Sequence, residues 1–135
     1  MNILELFEDE SELTLKDALR DFLPLVVDYL ELKSLPEIKL ERSIDDTKYP
    51  TFGRYINGDK IIQLDISNRH PVDILRTLAH ELVHYKQDLF QELDADSGVT
   101  GSSFENEANA QAGIIMREFN TKFPQYLKLT PIILP

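Results

Sequence analysis

Hydrophobic positions along the chain change period twice, and each change marks an element. From Leu13 to Leu32 the spacing is helical, with Leu15, Leu19, Phe22, Val26 and Leu30 three or four residues apart. Pro24 lies inside that run and is expected to kink or split the helix. Pro36 then forces a break. Between Glu37 and Arg42 the period drops to two, with Ile38 and Leu40 set among charged residues. Two more strand-like runs, Phe52 to Ile56 and Lys60 to Ile66, flank Asn57-Gly58-Asp59, and Asn-Gly in that place predicts a two-residue hairpin.

The helical period returns after Ser67. Pro71 suits the first helical position and Asp73 the positive end, so a helix is predicted from about Pro71 to about Glu92. Asp94 to Ser103 reads as a loop by composition. A second helix is expected from about Ser103 to Phe123, stopping before Pro124. The apolar tail, Tyr126 to Pro135, is expected to be a short strand or an extended cover on the core. The predicted class is α+β, one domain over residues 1–135. It has an N-terminal helix, a small mostly antiparallel sheet with a β-hairpin, and two long antiparallel helices.

Composition narrows the function. Of 135 residues, 24 are acidic and 14 are Lys or Arg, for a net charge of −10. That argues against nucleic acid and against an anionic membrane surface as partners, since both need surplus cations. It also disfavours a protease acting on DNA–protein crosslinks. The chain has no cysteine, so a disulfide framework is excluded and any metal is held by His, Asp or Glu. The segment from Met1 to Glu10 carries no basic leader, and no apolar run approaches the roughly 20 residues of a membrane span. A cytoplasmic location is expected.

The chemistry lies in His80-Glu81-Leu82-Val83-His84, inside the first long helix of the second half. Residues four apart share a helix face, so both imidazoles can reach one Zn²⁺, and Glu81 can present a carboxylate to the water that the ion activates. At about 100° per residue, Leu75, Leu78, Leu82 and Leu89 form the apolar side. His80 and His84 point the other way with Asp73, Thr77, Gln87 and Gln91, and a cleft is expected on that polar face.

Such a site needs a third protein ligand. Asp88 continues the series, but an i, i+4, i+8 set climbs about 12 Å, too far for one ion. The candidates are Asp94, Asp96, Glu105 and Glu107. On the second helix Glu105 starts a face that continues through Ala108, Asn109, Ala112, Met116, Phe119 and Phe123. A carboxylate on an apolar face is costly unless paired or bound to a metal, which favours Glu105 over Glu107. Glu107, with Gln111, Ile114 and Glu118, reads as a solvated charge. Ala108, Ala112 and Gly113 leave room for a close helix neighbour. Asn109 is placed to accept a hydrogen bond from the non-ligating N–H of His80 or His84.

His80-Glu81-Leu82-Val83-His84 together with Glu105-Asn106-Glu107-Ala108-Asn109 resembles the gluzincin group of zinc metallopeptidases. The second segment has the form E-x-x-A-N, similar to peptidases of the ImmA/IrrE type. Ala79 to Gln87 also resembles small metallopeptidase-like proteins of tailed bacteriophages, which would place the chain in a host cytoplasm. The resemblance spans about Lys60 to Phe123 and implies a minimal zincin-like fold. It implies His80, His84 and Glu105 as zinc ligands and Glu81 as catalytic base. It departs from the ImmA/IrrE pattern at Val83, where that motif often has glycine, and does not reach the N-terminal third.

The expected activity is zinc-dependent hydrolysis of peptide bonds, with a peptide or protein as partner. A second oxyanion donor is expected among His70, Tyr55, Tyr85 and Tyr126. Tyr85 reads as core and His70 as a helix-start residue. In zincins an edge strand near the metal takes up extended substrate, which the resemblance extends to the strand Lys60 to Ile66. His₂Glu sites also accept cobalt, manganese or iron. Two other readings use the same residues. A non-catalytic zinc-binding interaction or phage structural protein would close the site with Asp94 or Asp96. A calcium loop with Asp94, Asp96 and Glu105 at positions one, three and twelve fails at Val99, where the sharp turn needs glycine.

Overall fold

A computed structural model of the chain describes residues 14–44, 51–90 and 102–134. The first element is helix α1, Leu15–Leu30. Thr14 starts it with a reciprocal cap. Its hydroxyl accepts the Asp17 N–H, and the Asp17 carboxylate accepts the Thr14 N–H at 2.9 Å. Glu31 ends it in the left-handed region at φ 57°, five residues before Pro36. Pro24 does not split the helix. Pro24 and Arg20 both lie on the exposed side, so the Arg20 carbonyl that loses its partner faces water.

Three strands follow: β1 (Glu37–Glu41), β2 (Gly53–Ile56) and β3 (Ile61–Asp65). Their spatial order is β1-β3-β2. β1 pairs parallel to β3 with Ile38 opposite Ile62, and β2 pairs antiparallel with Tyr55 opposite Ile62. The expected mostly antiparallel sheet is therefore a mixed one. A period-two pattern gives a strand its buried side but not the direction of its neighbour. The hairpin differs too. Ile56 pairs with Ile61, leaving residues 57–60 in a four-residue turn. The left-handed residue is Lys60, at φ 55°, rather than Asn57. That geometry is a longer turn closed by one left-handed residue, not a two-residue loop that needs two.

Helix α2, Pro71–Leu89, starts as expected, with Pro71 in the first turn and the His70 ring accepting the Val72 N–H. It ends at Leu89, short of the expected Glu92, with Phe90 as its C-cap. Helix α3, Ser103–Lys122, is capped by the Ser102 hydroxyl. A 3₁₀ helix, Pro124–Lys128, leads into an extended tail. There Ile132 exchanges main-chain hydrogen bonds with Asn68 and Arg69, so the tail covers the core and pairs with none of the described strands. The loop predicted from Asp94, including Asp96, lies outside the described residues up to Gly101.

α2 is the centre of the molecule. Leu75, Leu78 and Leu82 are fully buried in one core with Phe22 and Val26 of α1, Ile62 and Leu64 of β3, and Ile115, Met116 and Phe119 of α3. Each such side chain contributes about 1.5–3 kcal/mol by leaving water. The α2–α3 contacts run in opposite senses: Gln87 meets Phe104, His84 meets Glu105, and His80 meets Glu105 and Asn109. The helices are therefore antiparallel neighbours. Gly113 takes no part in their approach, since a Cβ there would meet nothing within 4 Å. No helix among the described residues is long and apolar enough to cross a membrane.

Candidate metal centre

Buried polar side chains show where the site is. Among the described residues outside the tyrosines, these are Glu81, His84 and Gln87, all on α2. His80 and His84 stand one turn apart with ring centroids 4.9 Å from each other. Glu105, in the first turn of α3, faces both. Its Oε1 is 2.8 Å from His80 Nε2 and its Oε2 is 3.0 Å from His84 Nε2. One donor atom from each of the three residues lies within 4.8 Å of the others. Ligands at about 2.1 Å in a tetrahedral shell are roughly 3.4 Å apart. A small shift of side chains thus converts the two hydrogen-bonded contacts into ligand contacts. Two nitrogens and one carboxylate oxygen form a donor set that fits a divalent ion.

The charges point the same way. Burial holds His80 below the usual imidazole range, partly countered by Glu105, and this favours the neutral ring that a metal needs. Glu81 is pushed up to about 8, chiefly by burial and then by the nearby Glu105 carboxylate, against a hydrogen bond from the Tyr55 backbone N–H. Two carboxyl groups thus face a shared space lined by imidazoles. A cation between them relieves both the repulsion and the cost of burial.

β2 forms the wall beside this cluster. Phe52 turns its carbonyl to Asp65 of β3, so Gly53 and Tyr55 turn their amides to the open edge. The Tyr55 N–H on that edge is the one that reaches Glu81. β3 is the central strand, bonded on both sides, so among the described strands the outer edge beside the site belongs to β2 and not to the strand Lys60 to Ile66. Gly53 makes the close fit feasible. A Cβ there would lie 2.5 Å from Thr77 Cγ2 and 3.2 Å from the Gln63 carbonyl. A cleft of about 390 Å³ runs along this edge, lined by Phe52, Gly53, Arg76, Thr77, His80 and Asn109.

The sequence-derived residues separate into two groups. His80, Glu81, His84, Glu105 and Asn109 come together, with Asn109 accepting a hydrogen bond from His80. The proposed oxyanion donors do not join them as side chains. His70 caps α2 through its ring, about 15 Å along the helix from His80. Tyr126 is buried, stacked on Phe119 at 5.7 Å and donating its hydroxyl to Asp21 of α1. Phe119 lies about 21 Å along α3 from Glu105, which places Tyr126 at the other end of the core. Tyr55 donates its phenol to Asp88, which also pairs with Lys60, and only its backbone N–H faces the site. Tyr85 is core, as read, with its hydroxyl 2.6 Å from Ser34 Oγ.

Glu107 is exposed but not merely solvated, since its Oε1 accepts the Gln87 amide at 2.9 Å. Gln87 is the polar residue that pattern reading passed over. Its position three after His84, on the same face, was the available signal.

In comparisons with known proteins, no family model, no curated protein and no solved structure matches this chain.

Proposed function

We propose that this chain is a zinc-dependent peptidase of minimal zincin-like fold, in which His80, His84 and Glu105 hold the ion and Glu81 is the general base. The observation that carries this reading is the convergence of three donor side chains from two helices beside a buried, proton-binding carboxyl group. A zinc ion bound there supplies a Lewis acid that polarises a carbonyl and brings the acidity of water near neutrality.

The protein's own groups account for the rest. Burial raises the proton affinity of Glu81, which suits a group that, as its carboxylate, would take a proton from water and then deliver it to a leaving amine. Gly53 and Tyr55 turn main-chain groups to the outer edge of β2, and an extended peptide lying across the cleft past His80 would pair there in place of the Thr51 hydroxyl, which bridges the Gly53 N–H and carbonyl. Main-chain pairing is indifferent to side chains, so selectivity would come from Phe52, Arg76 and Asn109 along the cleft.

The test is zinc content and cleavage of a quenched peptide library by the parent, His80→Ala and Glu81→Gln proteins. The parent should hold one zinc and cleave, and His80→Ala should lose the zinc. Glu81→Gln should keep it while turnover falls by about 10²–10⁴-fold. A parent that binds zinc, cleaves nothing and is unchanged by Glu81→Gln would instead be a non-catalytic metal-binding module.

A further inference from the structure

The two ring nitrogens of His84 both face oxygen. Nε2 meets Glu105 Oε2 at 3.0 Å, and Nδ1 meets Gln87 Oε1 at 2.8 Å. The orientation of the Gln87 amide is fixed by its other end. Its Nε2 has two acceptors, the Phe104 carbonyl at 3.1 Å and Glu107 Oε1 at 2.9 Å. An amide reversed at Gln87 would set oxygen against both of them, in a site where Gln87 is only 2% exposed. The Gln87 oxygen must therefore face His84, and an amide oxygen only accepts. That puts the proton on Nδ1 and leaves the lone pair of Nε2 aimed at Glu105. Two acceptors 3.0 Å apart are reconciled by a proton shared between them or by a metal cation held in its place.

We infer that Gln87 is a positioning residue that fixes His84 in its metal-binding tautomer, and that Glu107 and the Phe104 carbonyl hold Gln87 in that orientation. The inference rests on the metal-centre reading and deepens it. It extends the site to a second face of the α2–α3 pair. There Gln87 and Glu107 border a hollow of about 630 Å³ with Tyr29, Lys86, Phe90 and Gln111. Glu107 reaches the ion through Gln87 and His84, which gives a surface carboxylate a role that its exposure hides.

The test uses ¹⁵N-histidine-labelled full-length protein loaded with zinc, read by long-range ¹H–¹⁵N correlation and by chelator competition. The parent should show His84 protonated on Nδ1, with that proton exchanging slowly. Gln87→Leu should bind zinc about 10- to 100-fold more weakly and lose the slow exchange. Gln87→Glu combined with Glu107→Gln keeps an acceptor for His84 and a hydrogen bond between positions 87 and 107, gives up the donor to the Phe104 carbonyl, and should recover part of the loss.

Should Gln87→Leu fail to fold, Glu107→Leu on the surface carries the test, with faster Nδ1–H exchange expected. Parent-like affinity and exchange in whichever single variant folds would overturn the inference. So would a folded double variant that recovers nothing, since packing alone would then explain Gln87. A parent that takes up no zinc defeats the metal-centre reading itself, which separates the two failures.

Discussion

The two ends of the α2–α3 pair are held by opposite physics. At the far end Phe119 meets Phe22 edge-on at 5.3 Å and stacks on Tyr126, among fully buried Ile115 and Met116. Dispersion and dehydration stabilise that end without specifying any charge. At the near end two imidazoles, two carboxyl groups and an amide are packed into a space short of positive charge. Those contacts are directional, and they depend on the protonation of the groups that make them. Apolar stabilisation is thus concentrated at the far end, and the electrostatic cost of the folded state at the near end. A rigid far end lets the near end keep groups that would otherwise separate or neutralise.

Three changes sharpen this contrast. The largest effect is expected at the apolar end. Phe119→Ala should lower unfolding stability by about 3–5 kcal/mol, by loss of buried area and by the cavity left behind. Zinc stoichiometry of the folded variant should be unchanged. Urea unfolding with metal analysis checks both, and loss of zinc at native conditions would show that the ends are not separable.

The second effect is a pH dependence at the polar end. Glu81 binds its proton more tightly in the folded chain, at about 8 against an ordinary 4.5. Its contribution to stability is therefore complete below the ordinary value and is lost as pH rises through about 8. In chelator, the parent should lose stability over that window at a limiting slope of about 1.4 kcal/mol per pH unit, relative to Glu81→Gln. By pH 9 the variant should be the more stable by a few kcal/mol. Denaturant titrations from pH 4 to 9 measure the difference. Parallel curves would mean that Glu81 is not buried as a carboxyl group.

The smallest effect belongs to the strand wall. Gly53→Ala should cost about 1–3 kcal/mol through overpacking against Thr77 Cγ2 and the Gln63 carbonyl. Thr77→Ser removes that methyl group and should restore part of the loss, as a double-mutant cycle would register. Additive effects would show that β2 meets α2 elsewhere.

Much of the site was legible because helical spacing is rigid. His80 and His84 are four apart on one helix, and Glu105 stands on the face of α3 whose later positions are apolar. Gln87 was on the same face but has no charge to make its burial conspicuous. Tyr126 and His70 were misplaced as donors for the complementary reason. A residue type suited to the chemistry says nothing of distance, and these two serve the core and a helix cap. The strand edge was assigned to β3 because it precedes α2 in sequence, whereas pairing on both its sides leaves the edge to β2.

By itself the sequence determined where the helices run, which of their faces are apolar, and that two imidazoles share one side of α2. Those properties follow from the fixed rotation per residue, which local spacing records directly. Tertiary structure alone decided that β1 lies parallel to β3, that β2 offers its open edge to Glu81, and that Gln87 joins His84 to Glu107. Such contacts join segments far apart along the chain. They are chosen by packing and hydrogen-bond satisfaction over the whole core, for which no local period exists.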